Sequence, residues 1–453
     1  MAVRENGSGG AKLRFPWDGF EEAYEGPSLT RYLLLLLFIG TAGSRTLGLD
    51  LGLAPGVSIK NVMLYAVASS IAIESAMHHN RRIELLPVIL PFALLIAYAV
   101  FTWLYTILFL DNPYYFPRET LIRLKTKLVD QFLMLLVFFY GVVNWKEAFW
   151  LLKSLIWVIV LGCFVTVIDT FDVPDLGVIS TRDSDGRVEG FIGSAQDFGG
   201  LLAFALPLVV ALLWTESGGK KFAALCGVGL VLVSIMLSTS RGAIFGIVAG
   251  GIMAAVYLRR YISGPMMMRA AFAVVAFTLV ATLFVFSTEF GYLLEERMTR
   301  GVATGDVETL SSGRTAIWSA ALREMAEHPL SFISGLGWEA YFQTIGHRYA
   351  THSVYLDRFY NLGLIGLILF TYSFAGAAAI ARRGLATVPT DRAPPFLLAT
   401  VIGIAAFMIA MAFSDIHGAA LYVWAMVGVA LRIACSSPTH TDLFHADHGI
   451  ARP

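Results

Sequence analysis

Apolar stretches long enough to cross a bilayer recur along nearly the whole chain, and they constrain its fold more than any other feature. A helix needs about 20 largely apolar residues to traverse the hydrocarbon core. Stretches of that kind lie near 31–43, 59–77, 85–110, 127–145, 148–168 and 196–215. Six more follow near 222–238, 241–258, 270–288, 354–380, 396–413 and 419–433. Composition excludes the soluble alternative: 57% of residues are hydrophobic and 15% charged, against roughly 45–50% and 25% in average globular proteins. So few charges cannot solvate a surface of this size, so the solvent must be largely lipid. The expectation is an all-α polytopic integral membrane protein with about 12 transmembrane helices. Cys163, Cys226 and Cys435 are too few for a disulfide framework. The polar first thirty residues contain no apolar signal region, so the first span is expected to serve as an uncleaved anchor.

Lysine and arginine orient the spans. The basic short connections are Arg81–Arg82, Lys146, Lys220–Lys221, Arg259–Arg260 with Arg269, and Arg382–Arg383. With twelve spans they all fall on the side of both termini, which the positive-inside rule makes cytoplasmic. The outer side then holds two long connections, near 169–195 and 289–353. The second is too long for a plain turn. Within it, Trp318, Leu322 and Met325 recur at helical spacing between Arg314 and His328, predicting an amphipathic helix packed on the membrane mouth. The expected division is a cytoplasmic segment at 1–30, a transmembrane domain at 31–433 with a large outer loop inserted at 288–353, and a cytoplasmic tail at 434–453.

This topology puts nearly half of the 33 lysines and arginines outside or at the outer rim. Long outer segments escape the charge rule, which is one reading; the other is that some of these cations bind an anionic substrate. Two positions carry the second reading. Ser238-Thr239-Ser240-Arg241-Gly242 lies where the seventh span ends and the eighth begins, and Ser311-Ser312-Gly313-Arg314 precedes the amphipathic helix. A serine can cap each helix, whose free amides attract anions. An arginine in a first turn opposes the helix dipole unless an anion offsets it. A third constellation, Thr351-His352-Ser353-Val354-Tyr355-Leu356-Asp357-Arg358, starts the tenth span, where an imidazole could accept a proton; a histidine at a helix start is also an ordinary cap. Asp415 and His417 share the last outer turn and could line the same mouth. His328 and His347 have no metal-ligand spacing. Glu74, Asp130 and Lys153 lie near span ends or are isolated.

Taken in order, these pieces resemble the O-antigen ligase and polymerase family of bacterial membrane proteins. The matching stretches are Arg187-Val-Glu-Gly-Phe with the Gln196–Pro207 run, Ser238-Thr-Ser-Arg241-Gly-Ala, and Ser312-Gly-Arg314-Thr-Ala-Ile-Trp318. Gly335-Leu-Gly-Trp338, His352-Ser-Val-Tyr355-Leu and Gly363-Leu-Ile-Gly366 complete them, covering roughly 187–370. The family usually has His-Asn where this chain has His352-Ser353, and commonly asparagine at Gln196. The resemblance implies a glycosyltransferase in the bacterial inner membrane with its site facing the periplasm. It would move a glycan from undecaprenyl diphosphate to a hydroxyl on lipid A core or on a growing surface polysaccharide. His352 would be catalytic; Arg241, Arg314, Arg187, Ser240 and Tyr355 would bind substrate. Membrane lipids are the other expected partners, and no nucleic acid is expected. No acidic pair stands out as a metal cradle, so the expectation is transfer without metal or cofactor, and a direct displacement would invert the anomeric centre. A transporter or lipid-linked glycan flippase is the alternative that twelve spans also fit.

Overall fold

A computed structural model describes residues 28–44, 49, 51–54, 56–77, 87–109, 115–142, 144–171, 186–258, 311, 313–341, 351–386 and 393–435, with isolated positions between 279 and 299. The ninth expected span, the terminal segments 1–27 and 436–453, and His347 lie outside these residues or almost wholly so. Each other expected span coincides with a helix. They are α1 Leu29–Ala42, α2 Ile59–Met77 and α3 Ile89–Phe109. Helix α4 runs from Pro117–Leu124 through a π-helical turn, Lys125–Val129, into Asp130–Tyr140. Next come α5 Trp145–Thr170, α6 Ala195–Thr215, α7 Gly218–Ser238 and α8 Arg241–Leu258. The outer region contributes α9 Arg314–Glu327 and the single turn α10 Ser331–Ser334. Finally α11 Val354–Gly384, α12 Pro394–Phe413 and α13 His417–Cys435 close the chain. A two-stranded hairpin, Gly52–Ala54 with Val57–Ser58, joins α1 to α2.

Among the described residues seven helices are long and apolar enough to span a membrane: α3, α5, α6, α7, α11, α12 and α13. Helices α1, α2 and α8 are apolar but shorter over their apolar parts. Length and apolarity over the described residues therefore leave the expected count of twelve unconfirmed, the ninth expected span lying outside them. The fourth span is also shifted. It was expected over 127–145, but α4 begins at Pro117, where proline presets the helical φ. It stops at Gly141, whose amide bonds Val137 O at 2.9 Å, and Asn144 then caps α5 by accepting from Glu147 N at 2.9 Å. The break is hidden from a hydropathy window because Gly141, Val142 and Val143 are themselves apolar.

Enclosure differs sharply between spans of similar hydropathy. In α13, 78% of the span window is buried; in α3 only 28% is. Helices α6, α12 and α13 form the centre, while α3 turns Leu94, Phe101 and Leu108 outward. In lipid, apolar burial does not drive helix association, and close packing through small residues takes its place. Gly242, Gly246 and Gly250 do this on α8. A Cβ on Gly246 would stand 2.4 Å from Ala406 O, and one on Gly242 2.7 Å from Ser414 Oγ. The start of α8 is thereby drawn onto the end of α12.

Helix α11 is interrupted at Gly363 (φ 62°, ψ −164°). Broken helices survive at membrane depth only where other groups satisfy the freed backbone. Here the loop after α10 does so: Leu336 N donates to Tyr360 O at 2.9 Å, and Gly337 N to Asn361 O at 3.1 Å. A Cβ on Gly335 would sit 2.3 Å from Asn361 O, so only glycine lets the two backbones approach. Tyr115 Oη donates to Trp338 O at 2.6 Å and Trp338 Nε1 to Thr120 O at 3.0 Å, fastening the same loop to the start of α4.

Helix α9 lies where the amphipathic helix was expected, with a different stripe. Ala321 and Met325 are buried, with Ile317 beside them, against Tyr341 and Tyr360. Leu322 is 42% exposed instead. It joins Trp318, Ser353, Tyr355, Leu356, Phe359 and Leu367 around an apolar cavity of about 280 Å³.

Candidate functional site

Three residues other than glycine have positive φ among the described residues: Thr239 (45°), Glu339 (58°) and His352 (52°). Such conformations cost about 1–3 kcal/mol each and concentrate at functional sites. All three adjoin residues singled out by the sequence. Thr239 ends α7 in a left-handed turn, and Ser240 then caps α8, its Oγ accepting from Ala243 N at 3.4 Å. Arg241 is the first residue of α8. Gly199 of α6 packs on this turn, where a Cβ would lie 2.7 Å from Ser240 Cβ. Val188 N donates to Leu237 O at 3.3 Å, which brings the segment carrying Arg187 to the same place.

Arg314 reaches this mouth from α9. Its Nη1 donates to Phe413 O, the last carbonyl of α12, at 2.7 Å. The cost expected of an arginine opposing its own helix dipole is thus offset by the negative end of another helix. Ser311, one of the two expected serines, accepts from Thr315 N at 3.3 Å and so meets a free amide of α9 from two residues before its N-cap, Gly313; Ser312 lies outside the described residues. Trp318 Nε1 donates to Thr351 O at 2.8 Å, so α9 holds both the end of α12 and the segment before α11.

His352 sits in that segment. Its left-handed backbone is followed by Ser353, which caps α11 by accepting from Leu356 N at 3.4 Å. Serine is among the favoured residues at such a cap. The Nδ1 atom of His352 is buried and has no hydrogen-bond partner among the described residues. Burial lowers the pKa of the imidazole, the nearby charges of Arg314 and Arg187 lower it further, and Asp415 opposes them. The partial desolvation and the two guanidiniums together place it below the ordinary imidazole value. Tyr355 turns away from the cations: its Oη donates to Met408 O on α12 at 3.0 Å. The structure therefore gathers Arg187, Ser240, Arg241, Arg314 and His352 at one end of the bundle and gives Tyr355 a packing contact.

Sequence reasoning named Asp357, Arg358, Asp415 and His417 but missed the buried charge network that joins them to α4 and the outer loop. Lys127, in the π turn of α4, pairs with Glu339 at 2.7 Å and lies 4.0 Å from Asp357. Arg123 touches Glu339 from the rim at 3.4 Å. Asp357 is 3.4 Å from Arg358 and 3.6 Å from His417 Nε2, which lies 2.7 Å from Asp415 Oδ1. Burial pushes the Asp415 carboxyl up, but His417 and Lys127 outweigh that and hold it below the usual range. Arg358 is 1% exposed and stacks over Trp338 and Phe370, 5.1 and 5.7 Å from the ring centres. The partners lie up to 230 residues apart, so no local motif announces the network. The available signal was the ionisable pair Asp357–Arg358 inside an apolar window.

These features define a polytopic α-helical membrane protein with a cationic, histidine-bearing mouth at one end. The O-antigen ligase family model matches residues 226–371, a stretch that contains Ser240, Arg241, Arg314, His352 and Tyr355 and leaves Arg187 outside. That match agrees with the resemblance to the ligase/polymerase family read from the motifs. No curated protein matches the chain.

Proposed function

We propose that this protein is a membrane glycosyltransferase of the ligase or polymerase type. It moves a glycan from undecaprenyl diphosphate to an acceptor hydroxyl, on lipid A core or on a growing surface polysaccharide. The observation that carries this reading is the meeting of Arg314, Arg187 and a half-buried His352 at one end of the bundle, beside the capped start of α8 that bears Arg241. In the reaction His352 removes the proton of the acceptor hydroxyl. The hydroxyl oxygen attacks the anomeric carbon as the bond from that carbon to the diphosphate oxygen breaks. The lipid diphosphate leaves with the bonding electrons, and the guanidiniums offset its charge. Direct displacement inverts the anomeric centre. We place the site at the outer face of a bacterial inner membrane, with both termini and the basic short connections cytoplasmic.

The test is transfer by purified protein from a lipid-diphosphate donor, with candidate acceptors offered separately and chelator present. Formation of glycosylated acceptor supports the reading and names the acceptor class. Turnover that stops with chelation and returns with a divalent cation overturns the metal-independent mechanism. The charges inside α4 and α11 favour a transporter or flippase as the second reading, because such charges often mark transport paths. Detergent solution separates the two: a flippase has no compartments there to work between and forms no covalent product.

A further inference from the structure

His352 faces an electrostatic difficulty as a base. It must gain positive charge under the influence of two guanidiniums, Arg314 and Arg187, and Asp415 is the one acidic side chain acting on it among the described residues; α9 holds both the residue before His352 and the end of α12 next to Asp415. A base so placed depends on that single carboxylate staying ionised and in position. Asp415 lies in the short turn between α12 and α13, two residues beyond the carbonyl that Arg314 binds. A turn of this kind does not by itself fix a side chain.

The fixing group is His417. Its Nε2 is 2.7 Å from Asp415 Oδ1 and 3.6 Å from Asp357 Oδ2. Three other elements hold His417 in turn. Gln131 of α4 donates to His417 O at 3.0 Å. Asp197 of α6 accepts from Ala419 N at 2.8 Å and caps α13, and a Cβ on Gly418 would sit 3.0 Å from its carboxylate. Asp357 is anchored by Asn361 Nδ2 at 2.9 Å and by Lys127. The charged groups acting on His417 are therefore Asp415, Lys127 of α4 and Asp357 of α11, with Asp197 of α6 adjacent.

We propose that His417 is a positioning residue for the transfer reaction: it holds the Asp415 carboxylate against the mouth so that His352 can accept the acceptor's proton. This inference rests on His352 being the base. Neither His417 nor Asp415 needs to exchange a proton with substrate.

The experiment is turnover against pH for the full-length protein in detergent, with donor saturating. In the wild type an acidic limb should report His352 losing its proton. His417→Ala should move that limb to lower pH by about one unit, because releasing the anion lowers the pKa of His352. It should also lower the plateau, since a weaker base removes the proton less well. His417→Gln keeps an N–H for Asp415 and should restore the limb. Asp415→Asn should shift it in the same direction, and the His417→Ala/Asp415→Asn double variant should shift it no further. A folded His417→Ala protein with an unmoved limb overturns the proposal and leaves His352 as the base. So does a double variant whose shift is the sum of the two. If His417→Ala does not fold, an unmoved limb in Asp415→Asn decides against it. A limb that persists in His352→Gln overturns the base assignment and this inference with it.

Discussion

Lys125 and Lys127 stand two residues apart on one π turn and serve different parts of the molecule. Lys125 pairs with Asp130 at 2.8 Å, five residues along the same helix, and Asp130 is also held by Tyr65 at 2.9 Å and Asn61 at 3.1 Å from α2. That cluster is local and ties two neighbouring helices. Lys127 instead meets Glu339 and Asp357, more than 200 residues away, beside the mouth. A regular α-helix separates positions two apart by about 200°, and the widened π turn sets that separation here. One lysine therefore supports the fold near its own sequence, while the other ties α4 to the outer loop and α11. The difference teaches that a charge in a span acquires meaning from its partners, not from its depth.

The comparison is tested most severely at the mouth itself. His352→Gln keeps a hydrogen-bonding side chain but cannot take the proton, so turnover should fall by about 10²–10⁴-fold. Asp130→Asn, in the local cluster, should leave turnover within a few fold once the folded fraction is allowed for. Transfer assays on matched, folded preparations read both. Near-normal transfer by His352→Gln would erase the functional distinction between the two clusters.

Stability gives the next contrast. Lys127→Met leaves Glu339, which is fully buried, with the rim residue Arg123 as its one cation among the described residues, and it weakens the anchoring of Asp357. Breaking one side of a buried pair costs about 3–5 kcal/mol. Lys125→Met removes a partner whose side chain is 19% exposed and leaves Asp130 bonded to Tyr65 and Asn61, so its cost should be about 1 kcal/mol. Denaturant unfolding in detergent should rank them in that order. Equal losses would mean that the π turn directs both lysines to equivalent surroundings.

Arg314→Lys should have a smaller effect and sharpen the picture within the mouth. A lysine can still meet Phe413 O, but it cannot offer a second parallel donor to a diphosphate. Transfer should drop about 10–100-fold, with unfolding unchanged within about 1 kcal/mol. Loss of stability without loss of transfer would make Arg314 a clasp for the end of α12 and nothing more.

The sequence foretold most of the helices because each element is long and uniformly apolar, and that is a signal carried by composition over a window. It foretold serine caps in the 238–240 and 311–312 stretches because Ser240 and Ser311 act within four residues of where they stand, but it offered His352 rather than Ser353 as the cap of α11. It could not tell α13 from α3, since both are apolar all round and only packing decides which is enclosed. The end of α4 was misplaced because its break is made by a glycine among valines. The stripe of α9 was misread because Leu322 faces the apolar cavity rather than the loop. The Lys127 network stayed hidden for a further reason. Its four elements become neighbours only after the loop at Gly335 is threaded onto the break at Gly363, a contact that no local pattern encodes.

Not every residue at the mouth belongs to its chemistry, and the smallest expected effect marks that boundary. Ser353 replaces the asparagine usual in the related family, directly after His352. Its Oγ accepts from Leu356 N at 3.4 Å, and its own amide is held by Thr351 Oγ1 at 3.4 Å. Both contacts belong to the start of α11 and neither reaches the arginines. Serine and asparagine rank together as helix caps, so Ser353→Asn should change stability by no more than about 0.5 kcal/mol. Ser353→Ala should cost about 1 kcal/mol, because the first turn of α11 then loses a partner for one of its free amides. Turnover should follow the folded fraction in both variants, with the acidic limb of the pH profile unmoved, since neither change adds or removes a charge near His352. A gain in transfer with asparagine, at unchanged stability, would show that the second position of the pair contacts substrate and would move Ser353 from the scaffold into the site.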